Sequence, residues 1–506
     1  MMTGETSVTQ GPADDAPDGG PAAMPEAMPD EVRDTLRGLR RVVDMLMRHT
    51  PGEDDGDGPR LLTVLEEHLG RRPDGMAIVT EDVPEHRLVD VDIALAEIAG
   101  RDPDHRLLGM GGGDARHHLT LGDQLQHARG GQFGRIGQVD YVQRATGPGP
   151  SDHRNVVSLG LWIFRYAGEP VVVRQQSARP QFGRSTGGLD VLATSRDHAD
   201  ALVTEVRALM DERSVFRGQV VTFSGDPYGH ELAGVTFVER PTLAREDVIL
   251  PEGLLDRIAH HVTGIAEHRE VLRTHGQHLK RGVLLYGPPG TGKTHTMRHL
   301  LSASPGTTAV LLSGGSLRFI QFAAKIARAH QPALVVLEDV DLIAEDRSMG
   351  MEAKPLLFEV LDALDGLDGD ADVTFLLTTN RVADLERALT QRPGRVDLAA
   401  EIPLPDEAGR RQLLGLYAGG LFSAEARAAA AGRSVGTTAS FAKELVRRAV
   451  LRAAIEGVDP GDSHLGAAVD DLLSDAEELT RSLLGVGERT VTVVSGHRPG
   501  PSAYPS

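Results

Sequence analysis

The 506-residue sequence contains no cysteine. That excludes a disulfide scaffold, a thiolate zinc site, an iron–sulfur cluster and a cysteine nucleophile. Lysine is almost as scarce. There are five, Lys280, Lys293, Lys325, Lys354 and Lys443, against 48 arginines, and all five lie between positions 280 and 443. Positive charge is in deficit overall, since 53 basic and 73 acidic residues leave a net charge of −20. With no interleaving of basic and aromatic residues either, this argues against a dedicated nucleic-acid binder, which carries a basic footprint. No apolar run approaches the roughly 18 residues that span a bilayer. The N-terminus is acidic and proline-rich, without the basic and apolar regions of a secretory signal, so a cytoplasmic protein is expected.

What is present divides the chain. Residues 1–59 hold 13 acidic and 5 basic residues and read as a disordered acidic tail, with a short helix over Glu31–Met47. Residues 60–240 mix helical periodicity with β-branched and aromatic strand segments, and read as an α+β N-terminal domain for a substrate or partner. Residues 245–405 change character: short apolar strands at Val283–Tyr286, Ala309–Leu312, Ala333–Leu337, Val373–Thr378 and Ala399–Ile402 alternate with helices. Such alternation predicts a parallel five-stranded sheet sandwiched between helices, an αβα arrangement of α/β class. Residues 406–486 read as helices only, and 487–506 as a second disordered tail.

The chemistry is concentrated in one segment. Residues 287–294 read GPPGTGKT, directly after an apolar strand and directly before a helix. Gly287, Gly290 and Gly292 let the backbone curl until its N–H groups face phosphate oxygens, and the helix N-terminus adds partial positive charge there. In this P-loop pattern Lys293 reaches the terminal phosphates and Thr294 ligates Mg²⁺. Pro288, Pro289, Thr291 and the following His295 complete the candidate nucleotide contacts. The other four lysines are expected to have no role beyond solvated helix faces or turns.

A second element, LVVLEDVD at 334–341, is a buried strand ending in carboxylates. One carboxylate can hold Mg²⁺ and the other can polarise an attacking water. By position Glu338 takes the metal side and Asp339 the base role. Strand Val373–Thr378 runs into Asn380, which could hydrogen-bond the γ-phosphate or the water. Residues 392–397 read RPGRVD. Arg392 and Arg395 are poorly placed for their own P-loop and suit the phosphates of a neighbouring subunit.

Taken together, GPPGTGKT, LVVLEDVD, TTN and RPGRVD over residues 245–486 resemble the AAA family of ring-forming ATPases. The order Glu338-Asp339 and the RPGRVDL segment are similar to the branch of the mitochondrial Rieske-protein translocase, though this chain has no membrane span. The resemblance implies a P-loop NTPase core at 245–405 with a helical lid at 406–486. It also implies ATP and Mg²⁺ as ligands, Asn380 as sensor, Arg392 and Arg395 as arginine fingers, and adenine contacts near Asp247–Leu250. A homo-oligomeric ring, most often a hexamer, follows from trans arginines. The stretch between the second and third core strands, SGGSLRF at 313–319, is short; Leu317 or Phe319 could contact substrate there, the alternative for Phe319 being a core side chain. The function expected is ATP-driven remodelling of a protein or complex bound by residues 60–240; the alternative is a slowly hydrolysing, nucleotide-gated switch or scaffold.

Overall fold

In the computed structural model, the described residues are 60–73, 76–112, 116–129, 134–180, 184–224, 234–341, 370–381 and 396–474. The helix expected over 31–47, the two tails, and Arg392 and Arg395 lie outside them. So does the lid beyond residue 474.

The first sheet is built from β1 (Ile78–Val83), β2 (Arg106–Met110), β3 (Ile136–Gly137), β4 (Asp140–Ala145), β5 (His153–Tyr166), β6 (Glu169–Gln176) and β7 (Gly187–Ala193). Its order is β1-β7-β6-β5-β2-β3, with β4 also on β5, and its pairings are antiparallel. Side chains alternate across β6, as a pleated strand requires. Val171 and Val173 pack with α2 (Leu88–Ala99) and α4 (Arg196–Glu212), while Val172 faces α1 (Leu61–Leu69) and α3 (Leu121–Arg129). Arg174 follows Val172 in phase and is fully buried, satisfied on one side by Asp190 of β7 at 3.2 Å.

The second sheet contains β8 (Val220–Ser224), β9 (Gly234–Val238), β10 (Arg281–Tyr286), β11 (Thr308–Ser313), β12 (Ala333–Glu338), β13 (Val373–Thr379) and β14 (Leu398–Glu401). The order is β14-β10-β13-β12-β11-β8-β9. Five parallel strands were expected, and the described sheet has seven. The hairpin β8–β9, read from sequence as the end of the N-terminal domain, adds to its edge: β8 runs parallel to β11 through Val220↔Ala309 and Val221↔Val310. Pairing with β8 supplies partners for the backbone groups of β11, and β9 becomes the edge strand on that side.

Helices cover both faces, as a parallel sheet demands. On one side α5 (Leu254–Ala259) and α6 (Lys293–Ser302) pack on Val283, Leu285, Val336 and Leu376. On the other, α7 (Ile320–Ala329) packs on Val310, Val335, Phe375 and Leu377. The chain then enters α8 (Glu407–Ala418), α9 (Ala424–Arg433), α10 (Ala439–Glu456) and α11 (Asp462–Leu473), which share an apolar core of their own around Leu413, Phe441, Leu445 and Val469. Each of α8, α9 and α10 starts on a side-chain cap, from Asp406, Ser423 and Thr438. Such caps satisfy otherwise orphaned N–H groups and place the helix starts.

The two sheets meet in a buried junction. Asp90 of α2 is 0% exposed and accepts from Val215 N at 3.0 Å and from Ser214 Oγ at 2.9 Å. Ser214 Oγ lies 3.4 Å from His330 Nε2, at the end of α7. His86 packs its ring between Phe216 and Phe322. Leu317 is fully buried, and the Phe319 ring lies 5.6 Å from that of Phe223. Leu317 is therefore a core side chain, which removes it as one of the two candidates for substrate contact, and Phe319 packs partly against the same core.

Candidate nucleotide site

Strand β10 delivers the chain into the loop 287–292, and the three glycines take φ values of 145°, 77° and 115° at Gly287, Gly290 and Gly292. These lie in the half of φ space that glycine enters without steric cost. Gly292 caps α6 and Lys293 is its first residue. The lysine folds back over the loop, where Nζ donates to Gly287 O and to Pro288 O, both at 2.8 Å. Thr291 Oγ1 donates to the same Pro288 O at 2.9 Å. Lys293 is 5% exposed. Burial pushes its ammonium down from 10.5 to about 8, with Asp339 and Asp341 pulling the other way.

Two polar pairs stand at the C-terminal ends of β12 and β13. Thr294 Oγ1 donates to Glu338 Oε1 at 3.1 Å. Asn380 Nδ2 donates to Asp339 Oδ1 at 3.2 Å. The sheet thus brings Lys293, Thr294, Glu338, Asp339 and Asn380 to one edge, from three elements. A hydroxyl and a carboxylate in contact at a helix N-terminus are hard oxygen donors of the kind Mg²⁺ selects, so these residues fit that ion.

A cavity of about 330 Å³ opens on this edge. The loop residues Pro289–His295 line it, with Asp339 and Asn380 at one end. Asp247–Leu250, Leu413 and Tyr417 also line it. His295 is held neutral more strongly than usual, because burial and the nearby Arg298 and Lys443 charges lower its pKa. Helix α10 supplies Ala439, Ser440 and Lys443. Lys443 is exposed on its helix face, as expected, and that face borders the cavity one turn along α10 from Ser440. The start of α10 rests on the loop itself, since Ser440 N donates to Gly290 O at 3.2 Å. A side chain at Gly290 would meet Ser440 Oγ at 2.9 Å and Thr438 Oγ1 at 3.1 Å.

Asp341 went unassigned in the sequence. It is 6% exposed, and its Oδ1 accepts from Thr379 Oγ1 at 3.0 Å and from Asn380 N at 3.1 Å. The one available signal was its place two residues after Asp339 in LVVLEDVD. Thr378 was also passed over: its Oγ1 accepts from Asp339 N at 3.0 Å.

A glycine loop between a buried strand and a helix, with lysine, threonine and paired carboxylates at one sheet edge, defines a P-loop nucleotide site. Residues 283–404 match the profile of the ATPase family associated with various cellular activities (AAA), and the chain carries an ATPase domain of that family. It is 38% identical over 154 residues to the 26S proteasome regulatory subunit S10B homolog B of Arabidopsis thaliana, covering 28% of this chain and 38% of the relative. It is 30% identical over 259 residues to the proteasome-activating nucleotidase of Methanoculleus marisnigri, covering 49% of this chain and 60% of the relative. The ATP-dependent zinc metalloprotease YME1L of Drosophila melanogaster is 31% identical over 239 residues, covering 44% and 32%. The chain thus spans between about a third and three-fifths of the length of these relatives. Among the described residues no helix is long and apolar enough to cross a membrane.

Proposed function

We propose that this chain binds and hydrolyses ATP at the cavity described above, and uses the cycle to remodel a protein or protein complex held by its N-terminal domain. The observation that carries the reading is the shared edge of Lys293, Thr294–Glu338 and Asp339–Asn380, with the lid resting on the same loop.

Each residue has a task that follows from its contacts. Lys293 holds two loop carbonyls and exchanges them for phosphate oxygens when a nucleotide enters. The loop N–H groups and the start of α6 favour the same negative charge. Thr294 and Glu338 would hold Mg²⁺, which neutralises charge on the phosphates and orients them. Asp339 accepts the proton of the attacking water, and Asn380 fixes the Asp339 carboxylate by donating to it. Arg392 and Arg395 act on a neighbouring copy's site in an assembled ring, in this reading a hexamer in the cytoplasm. The N-terminal domain follows the core because the β8–β9 hairpin pairs with β11 and Asp90 is bonded to residues 214 and 215.

Lys293→Ala should abolish nucleotide binding, and Asp339→Asn should retain ATP while turnover falls. Dilution of the wild type below its assembly concentration should lower the specific ATPase rate, as trans arginines require. Wild-type turnover in both variants would remove the assignment. An Asp339→Asn trap in ATP, followed by mass spectrometry of what it retains, would identify the client.

A further inference from the structure

The turn that follows β12 breaks the alternation of a strand. Were β12 to continue straight, Glu338 and Asp339 would point to opposite faces of the sheet. Instead Asp339 takes φ = 50°, a left-handed conformation that is unfavourable for a residue with a Cβ. Both carboxylates consequently serve the same edge: Glu338 meets Thr294, and Asp339 meets Asn380 and lines the cavity.

The tip of β13 holds that turn in place. Thr378 stands beside it, 1% exposed, and takes two consecutive N–H groups. Its Oγ1 accepts from Asp339 N at 3.0 Å and its carbonyl accepts from Val340 N at 3.0 Å. Asp341 closes the other side by accepting from Thr379 Oγ1 and Asn380 N. A backbone N–H at this depth needs an acceptor, and at Asp339 the acceptor is a side-chain hydroxyl.

We infer that Thr378 is a positioning residue for hydrolysis: its hydroxyl holds Asp339 in the left-handed conformation that aims this short carboxylate at the attacking water. An aspartate reaches one methylene less far than a glutamate, so the backbone conformation supplies what the side chain lacks. The inference deepens the proposed function and rests on Asp339 being the base.

The test is steady-state ATPase kinetics with nucleotide affinity measured alongside, on the full chain. Thr378→Val keeps the shape and removes the acceptor. It should lower kcat by about 10- to 100-fold, the scale of a small misplacement of a catalytic group. KM and ADP affinity should stay at wild-type values, and Thr378→Ser should restore the rate. In Asp339→Asn, adding Thr378→Val should cost no further rate. Wild-type kcat in Thr378→Val overturns the inference, as does a Thr378→Ser variant equally slow, since packing would then explain the loss. A fall in ADP affinity parallel to kcat overturns it too. If Thr378→Val does not fold, Thr378→Ala is read by the same criteria. The two readings separate cleanly: a fast Asp339→Asn variant removes the base assignment and this inference together. A slow Asp339→Asn beside a fast Thr378→Val removes only the inference.

Discussion

Nucleotide affinity should fall as pH rises through 8, a range in which an ordinary lysine does not titrate. The Lys293 ammonium is buried and pushed down to about 8 from 10.5. Only its charged form can exchange the Gly287 and Pro288 carbonyls for phosphate oxygens. If the nucleotide binds the protonated form alone, the apparent Kd grows by 1 + 10^(pH − pKa), with the pKa near 8. That factor is about 1.1 at pH 7 and about 11 at pH 9, whereas an unshifted lysine would give under about 1.1 at both. The assay is isothermal titration with ADP between pH 6.5 and 9.5 at constant ionic strength, since ADP avoids turnover. Repeating it at pH 9 in buffers of different ionisation enthalpy should show uptake of close to one proton per ADP bound, because the phosphates restore the ammonium's charge. An affinity that is flat from pH 7 to 9, with no proton uptake, would refute the placement of Lys293 over the loop.

Other consequences follow from the same contacts. Gly290→Ala introduces a Cβ 2.9 Å from Ser440 Oγ at a residue with φ = 77°, so it should lift the lid's first turn and weaken ADP binding while melting of the fold changes little. His330 is 1% exposed, and burial lowers its pKa from 6.5 to about 4. The unfolded chain takes up this proton near 6.5 and the folded one resists until about 4. Stability from this group is therefore complete above pH 6.5 and is lost toward pH 4, at about 1.4 kcal/mol per pH unit. His330→Phe should flatten that slope in urea unfolding at pH 4.5–7, and an unchanged slope would contradict the burial. Asp90→Ala strips the acceptor from Val215 N and Ser214 Oγ, and should cost about 2–4 kcal/mol in the same assay.

The parts of the fold that could be read from residues are those where one force dominates. Strands β10, β12 and β13 carry the uninterrupted apolar runs Val283–Leu285, Leu334–Leu337 and Phe375–Leu377 because they are buried on both faces, and the GPPGTGKT turn between strand and helix has few alternatives. Strand β7 was not recognised. Gly187, Gly188 and Asp190 interrupt its apolar pattern, and the Arg174 that pairs with Asp190 and permits its burial comes from a different strand. The β8–β9 strands are legible as strands within residues 60–240, but their pairing with β11 is not, because local pattern carries no information about which edge a strand joins. The same limit hid the roles of Thr378 and Asp341. A threonine inside a strand reads as β-propensity, and its contact with Asp339 exists only once β12 and β13 lie side by side. Lys443 read as solvated because exposure onto a cavity and exposure onto bulk water have the same helical periodicity.

The central claim is that residues of one sheet edge bind and hydrolyse ATP, with separate residues for each step. Its most direct test measures ATP binding and phosphate release side by side for the wild type, Lys293→Ala and Asp339→Asn. The account predicts binding with turnover in the wild type, neither in Lys293→Ala, and binding without appreciable turnover in Asp339→Asn. Phosphate release by Lys293→Ala or Asp339→Asn at the wild-type rate would contradict it.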